Sequence, residues 1–399
     1  MVSTSDSGTP IVQGASAVAD VMGEPVRIDL PRAEPIAARR RAMLELEDGT
    51  TFQGRAFGAA TAVAGETVFN TGMVGYVESL TDPSYRGQLV VCTYPLIGNY
   101  GVPRDAQRDG LSTSFESDQI HASAIVVGDY SETQSHWAQG RSLSEWLVDE
   151  QVPGITGVDT RKLTQILRER GSMLGRIVIE GGVPPAWRDP NKDNLVAEVS
   201  TKAPVLYGEG KGKSRVLLID TGAKFNIVHS LLERGVEVLR VPWDDDVPAR
   251  LERGEVAGLM LSNGPGDPTM AGKAVESVRT AIAKNVPTFG ICLGNQLLAL
   301  AIGAKTYKLK YGHRGQNQPV IECGTTRCFV TSQNHGYAVD SHSLPRDWRP
   351  WFENLNDKTN EGIRHSYGPF RSVQFHPEAC PGPVDTAFLF DEFVGMLRR

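Results

Sequence analysis

A cysteine, a histidine and a glutamate stand in this chain as a thiol nucleophile, its base and an orienting carboxylate would. Cys292 lies in PTFGICLGNQ (residues 287–296), and His376 and Glu378 follow in FHPE (residues 375–378). The short apolar run before Cys292 predicts a strand, and LLALAI (residues 297–302), closed by Gly303, predicts a helix. A strand that turns into a helix through Gly290 and Gly294 lifts the intervening side chain clear of the sheet, as in a nucleophile elbow. At a helix N-terminus the unpaired amides carry partial positive charge and favour the thiolate, which is the form that attacks. SVQF (residues 372–375) predicts a short strand, whose i, i+2 spacing would project His376 and Glu378 to one face. The carboxylate would fix the imidazole tautomer while the ring exchanges protons with the thiol and the leaving group. Each piece alone has a plainer reading, a buried core cysteine and a solvated loop end. Together they predict covalent catalysis by a thiol.

The elbow and FHPE resemble the triad of class I glutamine amidotransferases. LSNGPGDP (residues 261–268), VTSQNHGYAVD (residues 330–340) and GYVESLTDPSY (residues 75–85) are similar to the glutamine-hydrolysing small subunit of carbamoyl-phosphate synthetase, and the likeness runs from about residue 43 to the C-terminus. The resemblance implies an α/β fold: a C-terminal amidotransferase domain with a parallel sheet flanked by helices, and an N-terminal mixed α/β domain. It implies that Cys292, His376 and Glu378 are catalytic and that the amides of Gly264 and Leu293 hold the oxyanion. Glutamine would be bound by Gly264, Gly266, Leu293, Gln296, Asn334, Gly336 and Tyr337, with Ser84 reaching in from the N-terminal domain, so that the pocket lies between domains. Glutamine would be hydrolysed through a γ-glutamyl thioester, and ammonia would pass through a tunnel to a large synthetase subunit that uses bicarbonate and ATP. No metal or other cofactor is implied for this chain, ATP and Mg being expected on the large subunit. Two departures stand out: Asn295, where bacterial small subunits usually carry histidine, and the turn DTGAK (residues 220–224), a variant expected to bear on packing more than on chemistry. His313 and His335 are expected to be structural. The destination of the carbamoyl phosphate, arginine or pyrimidines, is open at this level.

Composition agrees with such an enzyme. The 399 residues are too many for one ordinary core. With 41 Lys and Arg against 47 Asp and Glu, neither nucleic acid nor an anionic membrane is an expected partner. Five scattered cysteines, at 92, 292, 323, 328 and 380, form neither a metal-ligand cluster nor a disulfide framework, which suits a reducing compartment. No apolar run approaches the roughly 18 residues of a membrane span, and no secretory signal is visible near Met1. Residues 1–42 are aromatic-poor and read as a flexible extension, with RRR at 39–41 a solvated charge run. The extension's acidic residues match its basic ones in number, unlike an organellar transit peptide. A cytoplasmic location is therefore expected ahead of the mitochondrial matrix or a plastid.

Residues 43–200 alternate short strand patterns with Gly and Pro turns and predict a mixed domain, with a helix after Asp159 and Thr160. Residues 201–213, containing YGEGKGK, read as a linker. From 214 to 399, apolar strands at 214–220, 236–241, 258–261 and 288–291 alternate with helical stretches, which predicts a parallel sheet with helices on both faces. Active sites in such sheets gather at the carboxyl ends of strands, where Cys292 would sit. Other classes compete. An amidotransferase of purine or aromatic biosynthesis would lack the segment around residues 75–85, an unpartnered cysteine hydrolase would not need the Asn334 and Asn263 turns, and a non-enzymatic module would be expected to lose the triad.

Overall fold

The computed structural model describes residues 39–397. All of them fall in one compact unit, Pro35–Arg399. Most of the expected N-terminal extension lies outside the described residues. Its last part is corrected: β1 (Arg41–Leu46) already begins at Arg41, and Arg39 is buried rather than solvated, its guanidinium over the Tyr130 ring.

The first half closes into a barrel of seven strands: β1, β2 (Thr51–Gly58), β3 (Val63–Asn70), β4 (Gln88–Cys92), β5 (Ala124–Val127), β6 (Pro153–Thr156) and β7 (Met173–Ile179). Around the barrel the order is β1-β7-β3-β4-β5-β6-β2. Strands β3 to β6 pair in parallel and the remaining pairs are antiparallel. Alternation decides which residues go where. In β4, Leu89 and Val91 join the cluster of Leu44, Ile155 and Ile177, while Val90 and Cys92 join that of Tyr76, Leu80 and Trp146. The predicted helix after Asp159 is present (Thr160–Arg170), its cap made by the Asp159 carboxylate accepting from the Lys162 amide at 2.8 Å. For the site the important segment is α1 (Tyr76–Thr81). It delivers the chain to Asp82, whose carboxylate caps the single turn Pro83–Tyr85.

The second half is built on a ten-stranded sheet: β8 (Val205–Tyr207), β9 (Ser214–Asp220), β10 (Val236–Pro242), β11 (Gly258–Leu261), β12 (Thr288–Ile291), β13 (Thr306–Glu322), β14 (Cys328–Val339), β15 (Trp348–Asn354), β16 (Asn360–His365) and β17 (Phe370–Val373). Their order is β8-β10-β9-β11-β12-β17-β16-β15-β13-β14. The parallel part spans β10 to β17. Helices cover both of its faces: Val216 and Leu218 of β9 pack with Phe225 and Phe390, Leu217 and Ile219 with Val278 and Leu297. The sheet is mixed rather than purely parallel, because β16, β15, β13 and β14 continue it antiparallel. The expected linker is also shorter than 201–213, since Val205–Tyr207 pairs antiparallel with β10 as an edge strand. Its Val-Leu-Tyr run already had strand chemistry, masked by the glycines that follow it. Among the described residues no helix is long and apolar enough to cross a membrane.

Candidate active site

Cys292 joins β12 directly to α2 (Leu293–Ala301), which begins four residues earlier than the apolar run suggests. Its backbone has φ 54° and ψ −104°, a region that L-residues seldom occupy. The amide of Cys292 donates to the Val373 carbonyl at 2.8 Å, which fixes the elbow to β17. The two glycines are there because nothing larger fits. A Cβ on Gly290 would come within 2.5 Å of the Gly294 carbonyl oxygen, and one on Gly294 within 2.5 Å of that of Leu261. The sulfur is buried and lies 3.6 Å from the Asn334 carbonyl oxygen on β14.

β17 ends at Val373, so His376 and Glu378 do not share a strand face as the spacing suggested. They occupy the turn beyond it, where the chain folds back and brings the Glu378 Oε1 to 2.6 Å from the His376 Nδ1. The His376 amide donates to Ser332 at 2.9 Å, docking the turn on β14. Both side chains are buried. Burial alone would push His376 down, yet the Glu378 carboxylate, followed by the charge of Cys292, lifts it well above the ordinary imidazole value. The charge of Cys292 acts on the ring, and Nε2 has no hydrogen-bond partner among the described residues. Burial would raise Glu378, but the Lys224 ammonium first and His376 second hold it far below the usual carboxylate range.

Lys224 is the residue that sequence reasoning assigned to packing, and the structure corrects that. Its Nζ is 3.2 Å from Glu378 Oε1 and donates to the Ala379 carbonyl at 2.6 Å, with the whole side chain buried. No signal in DTGAK marks a lysine that folds inward. Asp82 was also missed by the sequence reading. Its Oδ2 accepts from Asn334 Nδ2 at 3.1 Å and its Oδ1 from Asn263 Nδ2 at 3.3 Å, so one carboxylate aims two site asparagines. Asn263 also donates to Ser84 Oγ at 2.9 Å.

A cleft opens beside Cys292, and Ser84, Gly264, Gly266, Gln296, Asn334, Gly336 and Tyr337 all line it together with the thiol. Leu293 is the first residue of α2, so its amide has no intrahelical acceptor. A Cβ on Gly264 would collide with the Thr221 carbonyl oxygen, so only glycine lets that turn approach. Gln296 faces β14, with its Nε2 donating to the Tyr337 carbonyl at 3.0 Å and to Gln374 at 3.2 Å. Asn295, the departure, is fully buried. It donates to Gln374 at 3.1 Å and accepts from Ser372 at 2.8 Å, so its amide completes a polar network away from the thiol. Behind β14, His313 bridges Asp357 (2.8 Å) and Glu361 (3.2 Å), and His335 turns Nδ1 to the Tyr337 carbonyl at 2.9 Å. His313, His335 and Glu361 bring three ligand-type atoms within 4.8 Å of one another. The hydrogen bonds of the two histidines tie them into a structural support for the strand that carries Asn334 and Tyr337.

Both halves of the chain match known families. Residues 44–177 match the family model for the carbamoyl-phosphate synthase small chain, CPSase domain, and residues 217–396 that for class-I glutamine amidotransferases. The arginine-specific small chain of carbamoyl phosphate synthase from Saccharomyces cerevisiae is 51% identical over 375 residues, covering 91% of this chain and 90% of that one. The multifunctional protein CAD of Squalus acanthias is 52% identical over 364 residues, 90% of this chain, but the chain spans only 16% of that protein's length. Among solved structures, a glutamine amidotransferase from Thermotoga maritima is 25% identical, with a TM-score of 0.32, covering 41% of this chain and 76% of that one. The chain belongs to the carbamoyl-phosphate synthase small-chain family, the glutaminase component of the glutamine-dependent synthase.

Proposed function

We propose that the chain hydrolyses L-glutamine through a Cys292 thioester and delivers the ammonia to a large synthetase subunit, which makes carbamoyl phosphate for arginine or pyrimidine synthesis. The observation that carries this is the buried Cys292, His376 and Glu378 constellation opening on a cleft shaped by Ser84, Gly264 and Asn334. The thiol gives its proton to His376 as the sulfur attacks the substrate's δ-carbon, and the Leu293 and Gly264 amides receive the oxyanion. When the tetrahedral intermediate collapses, the C–N bond breaks and His376 protonates the leaving nitrogen. Water then gives a proton to His376 and attacks the thioester, releasing glutamate and restoring the thiol. Glu378 holds the imidazolium at each stage, and Lys224 keeps Glu378 ionised. Bicarbonate and ATP, with Mg, belong to the large subunit in this reading. A cytoplasmic location remains part of the proposal.

The test is glutamate release by the chain, with and without a carbamoyl-phosphate synthetase large subunit, for the wild type and for Cys292→Ser. The expected outcome is turnover that rises with large subunit, bicarbonate and ATP and falls by at least about 1,000-fold in the variant, while carbamoyl phosphate formation from added ammonia persists. Glutamate release that survives the substitution would end the thioester reading.

A further inference from the structure

Three strands bring a second set of polar side chains together behind the cleft wall. His313 of β13 stands directly opposite His335 of β14, and Glu361 reaches the pair from β16. All three are buried. Their ligand-type atoms lie within 4.8 Å of one another, with His313 Nδ1 3.2 Å and His335 Nε2 3.9 Å from Glu361 Oε1. Ligands about 2.1 Å from a tetrahedral zinc ion stand about 3.4 Å apart, so small side-chain shifts would close this set on one ion.

The hydrogen bonds leave acceptors facing one another. A carbonyl oxygen only accepts, so the 2.9 Å contact with Tyr337 places the His335 proton on Nδ1. Burial and then the charge of His313 push this ring far below the ordinary imidazole value, so it is neutral and its Nε2 is a lone pair. That lone pair faces Gln333 Oε1 at 3.2 Å as well as Glu361. Turning the Gln333 amide over only moves the mismatch to Thr331 Oγ1, whose own hydrogen goes to the Gln318 carbonyl at 2.8 Å. Glu361 adds another unmet acceptor. Asn354 and Thr359 donate to its Oε1 at 3.2 and 3.4 Å, while Oε2 is buried without a hydrogen-bond partner among the described residues. An imidazole lone pair, an amide oxygen and a carboxylate converging with too few donors call for a cation. The outer contacts are those that metal-bound histidines make: His313 turns Nε2 to the Asp357 carboxylate at 2.8 Å, and His335 turns Nδ1 to a backbone carbonyl.

We propose that His313 Nδ1, His335 Nε2 and a Glu361 carboxylate oxygen form a zinc site, with Gln333 Oε1 in reach as a fourth ligand. Without the ion, His313 donates to both carboxylates. On binding, Nδ1 releases its proton to solvent and gives its lone pair to the metal, while Nε2–H stays on Asp357. Two imidazoles and one carboxylate suit zinc, whereas magnesium prefers oxygen alone. The ion would tie β13, β14 and β16 together behind Asn334 and Tyr337, a structural role that does not depend on the glutaminase reading. The test uses the full chain carrying Cys292→Ala, which removes the cleft thiol as a competing ligand, after treatment with a chelator. Titration calorimetry with zinc chloride gives one equivalent per chain, and magnesium chloride does not compete. Cobalt(II) gives the visible spectrum of a tetrahedral nitrogen and oxygen site without a thiolate charge-transfer band. Free zinc at about 100 times its Kd raises Tm by about 3 °C. His313→Gln weakens zinc binding by more than about 100-fold. Asp357→Asn, at a half-exposed position, weakens it by about 10-fold and decides the matter if the first variant does not fold. No saturable zinc binding, a cobalt spectrum with a thiolate band, or the same zinc affinity in Asp357→Asn as in its parent overturns the assignment.

Discussion

The Lys224 to Glu378 contact makes the sharpest prediction, because a buried cation here supports the proposed catalytic carboxylate rather than lining the cleft. Lys224→Met keeps the length of the side chain and removes the charge. It strips Glu378 Oε1 of its partner at 3.2 Å and the Ala379 carbonyl of its donor at 2.6 Å, while Glu378 Oε2 already has no partner. Removing one member of a buried pair costs about 3–5 kcal/mol, and the lower end applies because His376 still holds the carboxylate. Unfolding entropy of about 2.1 cal/mol/K per residue over the unit Pro35–Arg399 amounts to roughly 0.8 kcal/mol per kelvin, so Tm should fall by about 4 °C. The loss should depend on pH in a defined sense. Glu378 is depressed to about 2 from an ordinary 4.5, so its stabilisation is full above 4.5 and disappears as pH falls toward 2. The Glu378 part of the gap between the two proteins should therefore be constant above about pH 5 and close below about 4.5, while the gap widens further as pH rises through 7 and Glu116 ionises beside Lys224 in the wild type. Glu116, which burial lifts to about 7 against the pull of Lys224, should titrate higher in the variant. Differential scanning calorimetry across pH 3–8 is the assay. A Tm change under about 1 °C, or one just as large at pH 3 as at pH 7, would refute the argument.

Two further substitutions probe the cleft. Gly264→Ala drives a methyl into the Thr221 carbonyl, so the turn must retreat and its amide with it; kcat for glutamine should fall about 100-fold, as for a lost oxyanion donor, with KM changing far less. A proportionate rise in KM instead would assign Gly264 to ground-state binding. Asp82→Asn turns an acceptor into a donor facing Asn334 and Asn263. With one buried hydrogen bond lost, KM for glutamine should rise about 10-fold and ammonia-dependent synthesis with the large subunit should be unaffected, a split that steady-state kinetics would read directly.

Much of the site was legible in the residues. Gly290 and Gly294 announce a turn that tolerates no Cβ, and that turn needs only local chemistry to specify. The strands of the parallel sheet were legible too, because burial on both faces writes itself as continuous apolar runs such as Val216 to Ile219. The barrel was not. Its closure depends on pairing β2 with β6 across nearly a hundred residues, and alternation in single strands is silent about partners. The strand assigned to His376 and Glu378 failed for a related reason: the turn beyond Val373 is held by Ser332, far away in sequence.

The sequence by itself marked the proposed nucleophile, its base and its carboxylate, because their chemistry depends on residue type and on a glycine-bounded turn. Only the tertiary structure decided that Lys224 faces inward to Glu378 and that Asp82 crosses from the first half of the chain to aim Asn263 and Asn334. Those are contacts between residues about 150 to 250 positions apart in a polymer whose local preferences decay within a few residues. They exist only once the packed strands bring their backbones together, and the cost of leaving each buried charge unpaired then selects the partner.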